Sequence, residues 1–411
     1  MFSMVDMNNY YVSCERLFNP KLENKPVVVL SNNDACCIAR SEEAKALGIK
    51  MGTPEFMIHD LIRQHDIKVF SSNYTLYHDI SNRVMATLAT FVPRMELYSI
   101  DEAFLDMSEL DYQDLLQLGV QIMRTVQQHV GIPVTVGIAA TKTLAKMANR
   151  YAKKTHKVPA VHWLANGQLV AEALQFTEVG DVWGIGRQYA SKLKANGYHT
   201  AADLVSANDE WIRKNMSVVG QRTVNELRGT PCIKWEYKPP PKKNICTARS
   251  FGSLMIRPEP IREAISNYTA ICAQKLREEG SLARKLMLFL ETNVHRISDK
   301  QYQNAITVEL PIASNSTSEL IRHALDAFDR IFCLGYNYNK AGVIVMDLVP
   351  DEQVQLSLFQ SKDFEKDERI HQVIDNVNGH MAVIRSDMQS KAMIKYTSCV
   401  LNTSPKAIPQ E

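Results

Sequence analysis

Three carboxylates in this 411-residue chain stand where chemistry could be done. Asp6 ends a short apolar run, Phe2 to Val5. Asp101 and Glu102 sit side by side at the tip of a hairpin expected in RMELYSIDEAFLDMS. Neighbouring carboxylates on an exposed turn repel each other, and a cation offsets that repulsion. Hard divalent cations such as Mg²⁺ take oxygen ligands, few from protein and the rest from water and phosphate. Two such ions about 3.5–4 Å apart activate an attacking hydroxyl and stabilise a leaving pyrophosphate in an in-line displacement. One aspartate from a strand end and a pair from a neighbouring hairpin suit that geometry. As isolated residues they also fit a plainer description, since most Asp-Glu pairs are solvated turns. Asp106, five residues after Asp101, reads as a structural strand-end carboxylate.

The surrounding pattern shows which elements must hold these groups. Phe2 to Val5 predicts a strand that delivers Asp6, and Asn9 to Phe18 a helix. KPVVVLS and CCIARS predict two β-rich strands around an Asn-Asn-Asp turn, Asn32 to Asp34. A helix over about Glu42 to Leu47 stops at Gly48. Val134 to Ala139 predicts another strand, and Thr141 to Lys154 a basic helix. From 166 to 230 the period is helical, and VWGIGRQYASKLKANGYHTAADL reads as helix, glycine turn, helix. KPPPKKN (238–244) is a proline-rich, semi-rigid basic linker. Beyond it come a strand at 245–252, a helix from Pro260 to Gly280, and strands at 284–292 and 304–310. A helix opened by a Ser316…Glu319 capping box and a strand at 341–348 complete a β-α-β-β-α-β order, the ferredoxin-like arrangement. Residues 350–411 read as a polar tail with partial helix. The fold class is α+β.

Composition narrows the partners. Hydrophobic residues make up 45%, and no stretch approaches the ~20 apolar residues of a membrane span. The opening MFSMVDMNNYY has no basic leader and apolar core, so it does not read as a signal peptide. Of the eight cysteines only Cys36 and Cys37 are close together, and no CxxC or Cys/His pair has zinc spacing. Reduced thiols in a cytoplasmic protein, with no membrane partner, are the expectation. Net charge is +2, yet Lys142 to Arg249 holds 18 Lys and Arg against 8 Asp and Glu, while acidic residues outnumber basic ones before it. Positive charge gathered in mid-chain suits a polyphosphate partner, and equally a solvated basic surface. Within that region, the glycines of Gly184-Ile185-Gly186 let backbone approach a phosphate, with N–H groups of the next helix start aimed at it.

Several segments, in order, resemble one family. YSIDEAFLD (98–106), with VDMNNYYVSCE (5–15), is similar to the two metal motifs in the palm of the Y-family translesion DNA polymerases. SNNDACCIARSEEAKALGIKMG (31–52) resembles the fingers of the family's UmuC branch, and TVGIAATKTLAKMAN (135–149) its next block. GIG at 184–186 resembles the thumb, and ARSFG (248–252) the entry to the little finger. The resemblance runs over roughly residues 1 to 350.

It implies a right-hand polymerase with a ferredoxin-like palm (1–24 and 76–165), small fingers (25–75) and a helix-hairpin-helix thumb (166–237). A βαββαβ little finger (245–349) and a tail (350–411) follow the linker. The implied activity is error-prone transfer of nucleotides from dNTPs to a primer on primer-template DNA, opposite damaged bases, in the SOS response. Position by position, Asp6, Asp101 and Glu102 become the ligands of two Mg²⁺ ions, with the Met7 carbonyl as a backbone ligand and Glu102 nearest the primer 3′ hydroxyl. Tyr11 matches the steric gate, the ring that leaves no room for a 2′ hydroxyl, while Tyr10 fits a core aromatic at least as well as Tyr11 does. Lys45 and Lys153 match positions that hold the incoming triphosphate. Elsewhere in the family the first is often arginine, and the tyrosine three residues earlier is here Glu42, a departure shared with the UmuC branch. Gly184, Gly186 and Arg249 would meet the DNA backbone, positioning the duplex without reading its sequence.

In the tail, Gln355-Leu356-Ser357-Leu358-Phe359 resembles the pentapeptide that docks bacterial polymerases onto the sliding clamp, although Leu-Phe could also fold back on the protein. The UmuC branch further implies a UmuD′-like dimer and a RecA-type filament as partners. A two-metal nuclease would share the acidic cluster but has no use for Tyr11, Lys45 or the fingers segment. A non-catalytic clamp and DNA adaptor would not need the full set Asp6, Asp101, Glu102 and Tyr11.

Overall fold

A computed structural model of the chain describes residues 1–353 except 32–33, 111–113, 156–159 and 237–239, together with Val373. The chain divides into two compact units, one running to Pro239 and the other starting at Pro240.

The first unit opens with β1 (Phe2–Met7) and α1 (Tyr10–Phe18). Then β2 (Val27–Leu30), β3 (Cys37–Arg40), α2 (Glu42–Ala46), α3 (His59–His65) and β4 (Lys68–Ser71) build a small sheet of order β3-β2-β4. Its alternating side chains face two cores. Val28, Leu30 and Val69 pack with Ala44, Ile58 and Ile62, whereas Val27, Val29 and Phe70 join the main core beside Tyr10 and Tyr77.

The central sheet is completed by α4 (Tyr74–Leu88), β5 (Met95–Leu97), β6 (Glu102–Asp106), α5 (Leu115–Val130), β7 (Val134–Ala139), α6 (Lys142–Thr155) and β8 (Val161–Trp163). Strand order is β5-β6-β1-β7-β8, with β1 antiparallel to both neighbours. Val5 and Met7 of β1 enter the main core with Ala103 and Leu105, while Phe2 and Met4 join Phe104 in a second core that includes Leu144 and Ala148 of α6. Asp6 shares the parity of Phe2 and Met4, and Glu102 that of Phe104. Both carboxylates therefore end apolar ladders on the α6 side of the sheet. The helix seats closely there. A methyl group at Gly137 would lie 2.2 Å from the Asn149 backbone nitrogen and 2.4 Å from the Ala145 oxygen, so the position requires glycine. The buried Asn149 amide donates to the carbonyls of Thr135 (2.7 Å) and Met4 (3.3 Å), tying α6 to β7 and β1.

Four more helices share the second core: α7 (Gly167–Phe176), α8 (Arg187–Ala195), α9 (Ala201–Ser206) and α10 (Asp209–Leu227, broken at Ser217). A capping box opens α9, formed by Thr200 and Asp203. The chain after α10 is strapped back over the sheet. The Glu226 carboxylate accepts from the N–H groups of Thr143, Cys232 and Ile233. Lys142, 1% exposed, donates to Glu96 (2.6 Å) and to the Lys234 carbonyl (2.8 Å), and the Glu236 N–H reaches the same Glu96 carboxylate. Trp235 stacks on Phe2 at 5.4 Å.

The second unit contains β9 (Asn244–Met255), α11 (Pro258–Glu278), β10 (Ser281–Thr292), β11 (Gln303–Ser314), α12 (Thr317–Ile331) and β12 (Tyr338–Pro350). The β-α-β-β-α-β order is the expected one. The sheet is antiparallel throughout in the order β11-β10-β12-β9, so each β-α-β crossover skips one strand. Ile261, Ile265, Cys272 and Leu276 of α11 and Leu320, Ala324, Phe328 and Ile331 of α12 bury against one sheet face. The strands outrun their predicted ends, and α11 starts at Pro258, two residues early. The expected capping box at Ser316 takes another form: Ser316 is the N-cap without a side-chain cap bond, and Glu319 accepts from the Ser314 hydroxyl at 2.6 Å.

The pentapeptide Gln355 to Phe359 and the partial helix expected in the tail lie outside the described residues. Among the described residues no helix is long and apolar enough to cross a membrane, and the described cysteines are free thiols.

Candidate active site

Asp6 and Glu102 are direct cross-strand partners. The Met7 N–H donates to the Asp101 carbonyl at 2.9 Å, and the N–H groups of Tyr98 and Ser99 both donate to the Glu102 carbonyl at 3.1 Å. These bonds hold the Asp101-Glu102 turn against the end of β1, whose last residue, Met7, faces Val134 on the other side. Like charges opposite each other in a ladder are destabilising, and two lysines from one face of α6 offset them. Lys153 is paired with Asp6, and the Lys146 ammonium stands 3.1 Å from each Glu102 oxygen. Burial raises the Glu102 pKa above the ordinary carboxylate value. Lys146 counters this, while the charges of Asp6 and Asp101 push it up again. Asp6 and Asp101 thus both act electrostatically on Glu102. The Asp101 carboxylate itself accepts from the Ser99 hydroxyl at 2.6 Å, and among the described residues no three His, Cys, Asp or Glu side chains close on one point. A cavity of about 260 Å³ opens beside them, lined in part by Met4, Asp6, Glu102, Lys146, Lys153 and Trp183.

Lys146 is not singled out by sequence analysis. Its spacing of seven from Lys153, which puts both on one helix face, is the signal that could have found it. Its ammonium also lies 4.0 Å from the Tyr98 ring centroid and 5.3 Å from that of Trp183, and the Trp183 indole donates to the Tyr98 hydroxyl at 3.0 Å. Trp183 immediately precedes the Gly184 turn, so the turn is connected to Glu102 through this aromatic pair and one lysine.

Tyr11 is half-buried. Its ring stacks on Tyr77 with centroids 4.3 Å apart and planes within 14°, and meets Tyr74 edge-on at 6.0 Å. Burial, then the neighbouring Tyr74 and Asp101, push its phenol up to about 12. Tyr10 is the core aromatic of the two, buried with its hydroxyl donating to the Tyr77 carbonyl. Behind Tyr77 lies a residue the sequence does not mark: Glu15, 1% exposed, accepts the Tyr77 hydroxyl at 2.7 Å. Burial pushes the Glu15 carboxyl up to about 7.

Lys45 is exposed on α2, and its ammonium reaches Asn9 Oδ1 (2.6 Å) and Glu42 Oε1 (2.7 Å). It is thereby tied to the start of α1, three residues beyond Asp6. Gly184 has φ 88°, a left-handed conformation that suits glycine, and Gly186 is the N-cap of α8. Arg249 is exposed on the edge strand β9 of the second unit, with the parity of Ile245 and Thr247 and hence on the helix side near Tyr268. The side chains of Asp6, Glu102 and Lys153 are brought together, with the backbones of Met7 and Asp101 bonded beside them. Tyr11 on α1 and Lys45 on α2 flank them, and Arg249 belongs to the other unit.

The fold is that of the Y-family DNA polymerases. The Y-family DNA polymerase chimera Dbh-Dpo4(243-245)-Dbh matches with a TM-score of 0.67 at 20% identity, covering 85% of this chain and all of that one. The impB/mucB/samB family model matches residues 5–150, and the model of that family's C-terminal domain matches residues 242–358. Protein UmuC of Salmonella typhimurium is 42% identical, and Protein ImpB of Salmonella typhimurium 40%, each over 92% of this chain and 90% of the relative. DNA polymerase IV 1 of Bacillus subtilis is 26% identical over 91% of this chain and 89% of its own length. The chain belongs to the impB/mucB/samB family. It is a DNA-directed DNA polymerase of the error-prone translesion kind, acting on DNA and dNTPs with divalent metal.

Proposed function

We propose that the reaction runs at Asp6, Asp101 and Glu102, which would hold two Mg²⁺ ions together with the Met7 carbonyl. The register that sets Asp6 opposite Glu102, with the Asp101 carbonyl bonded to the Met7 N–H, carries this reading. The donors are hard carboxylate oxygens of the kind Mg²⁺ takes, and the ammonium groups of Lys153 and Lys146 already stand where positive charge is wanted. Bound there, the ions would supply activation of the primer 3′ hydroxyl and compensation of charge on the leaving pyrophosphate.

The chain's own residues bind and orient. Lys153 would exchange Asp6 for the incoming triphosphate, and Lys45 would meet it from the fingers. Tyr11 would lie beneath the sugar and fill the volume of a 2′ hydroxyl, the group that separates RNA from DNA. The Gly184–Gly186 turn, with the first N–H groups of α8, and Arg249 would take backbone phosphates. Palm (1–24 and 76–165), fingers (25–75), thumb (166–237) and little finger (245–349) are the corresponding divisions. Gln355, Leu356, Leu358 and Phe359 would dock the polymerase on a sliding clamp. Identity of 42% to Protein UmuC supports work in the cytoplasm with a UmuD′-like dimer and a RecA-type filament in the SOS response.

Primer extension by Asp101→Ala tests the assignment. Loss of a metal ligand removes transition-state stabilisation of several kcal/mol, so extension should vanish while DNA binding persists. Extension above about one percent of the parent rate, against the 10²-fold or greater loss such a site implies, places the metal site elsewhere.

A further inference from the structure

We infer that Glu15 and Tyr77 form a buried pair that positions Tyr11 and so sets the enzyme's selectivity between deoxyribose and ribose; this rests on Tyr11 being the gate. A gate ring excludes a hydroxyl only if it cannot retreat. Tyr11 has nowhere to go, because the Tyr77 ring lies parallel at 4.3 Å. Tyr77 is itself fully buried and held at several points. Its hydroxyl donates to Glu15 (2.7 Å), its carbonyl accepts from the Tyr10 hydroxyl, its N–H bonds to the Asn73 carbonyl (3.0 Å), and Tyr74 meets it edge-on at 6.3 Å.

Glu15 lies four residues after Tyr11 on α1, on the same helix face. The links from Tyr11 to the Tyr77 ring, from the Tyr77 hydroxyl to Glu15, and back along α1 close a rigid loop. Packing does not account for a carboxylate at this place. It is 1% exposed and its Oε2 has no partner, an arrangement costlier than an apolar side chain of the same size. What the carboxylate supplies, and an apolar residue would not, is the bond that fixes the Tyr77 ring. The pair touches neither Asp6, Asp101 nor Glu102 and serves as a positioning device.

The test is primer extension by the full chain with matched dNTP and rNTP, comparing the ratio of kcat/KM values for the parent, Tyr77→Phe, Glu15→Ala and Glu15→Gln. Each substitution is made with and without Tyr11→Ala. Tyr77→Phe keeps the ring and deletes one hydrogen bond, so rejection of rNTP should weaken about three- to tenfold with dNTP use changed less than about twofold. Glu15→Ala should match it, and Glu15→Gln, which still offers an acceptor, should restore rejection. With Tyr11→Ala present, none of the three should alter the ratio further. Unchanged selectivity in Tyr77→Phe, or an equal loss on the Tyr11→Ala background, overturns the inference and returns the pair to plain core packing. If Tyr11→Ala alone leaves selectivity intact, the gate reading fails first and the positioning role falls with it. Should Glu15→Ala fail to fold, Tyr77→Phe and Glu15→Gln still decide the matter.

Discussion

Glu15→Gln should change how the stability of the first unit depends on pH. The folded carboxyl titrates near 7, against an ordinary value of 4.5, because burial penalises the charged form. Between those values the folded chain keeps a proton that the unfolded chain has released. Stability from this source is therefore complete below pH 4.5 and is lost as pH rises through 7. A gap of about 2.5 pH units at ~1.36 kcal/mol per unit makes the loss about 3 kcal/mol. Glutamine is neutral at every pH and nearly isosteric, so the variant lacks this slope while every other carboxylate contributes equally to both proteins. All four tryptophans, at 163, 183, 211 and 235, lie in the first unit, and their fluorescence follows its unfolding. Urea titrations at pH 5, 6, 7 and 8 should show the variant gaining about 2–3 kcal/mol on the parent across the series, with most of the change complete by pH 7. A difference between the two proteins that stays flat within about 1 kcal/mol from pH 5 to 8 would refute a protonated, buried Glu15.

Tyr11→Ala should raise ribonucleotide incorporation by orders of magnitude; unchanged rejection of rNTPs in competition assays would make Tyr11 a core residue. Lys142→Ala removes the ammonium paired with the buried Glu96 carboxylate and should cost about 3–5 kcal/mol, read as a lower melting temperature by tryptophan fluorescence. Because Glu102 holds its proton more tightly than an ordinary carboxylate and a metal ligand must be ionised, the Mg²⁺ concentration for half-maximal extension should rise as pH falls, as metal titrations at several pH values would show. Leu358→Ala with Phe359→Ala removes two apolar anchors, each commonly worth ~2 kcal/mol in a short motif. Capture of the sliding clamp in a pull-down should disappear, and undiminished capture would assign those side chains to packing.

The position of Asp6 at the end of β1 and of Asp101 and Glu102 at the β5–β6 turn was legible in the strand pattern, but their reading as metal ligands came from the resemblance of YSIDEAFLD and VDMNNYYVSCE to the family's motifs. The second unit was legible through its order of elements, with the helices expected from Pro260 and after Ser316 beginning within two residues of those positions. β4 was missed because Lys68–Ser71 has only four residues and pairs in parallel with β2, some forty residues earlier, leaving no local trace. Glu15 and Lys146 were missed for a related reason. A glutamate on a helix and a lysine in a basic run read as solvated, and only the fold shows Tyr77 over one and Glu102 beside the other. The strands of the second unit run long because ladder bonds continue past the apolar alternation into residues such as Asn244 and Lys340. At Ser316 the spacing matched a capping box, but Glu319 bonds Ser314 instead, a choice among neighbouring hydroxyls that spacing cannot resolve.

The place of β1 in the middle of its sheet also bears on how the enzyme is made. The strand leaves the ribosome early, yet both of its partners come late, β6 at Glu102 and β7 at Val134. At about 5–20 residues per second, Met7 precedes Ala139 by on the order of 10 s. Until β6 is made Asp6 has no opposite number, and until β7 follows the central strand still exposes an unpaired edge, a state prone to mispairing. Pairings between residues so distant in sequence are also slow to form. A growing chain, or one cut short before β7, therefore carries the motif without the means to use it. For an enzyme whose product is mutation, activity arrives only with the whole sheet.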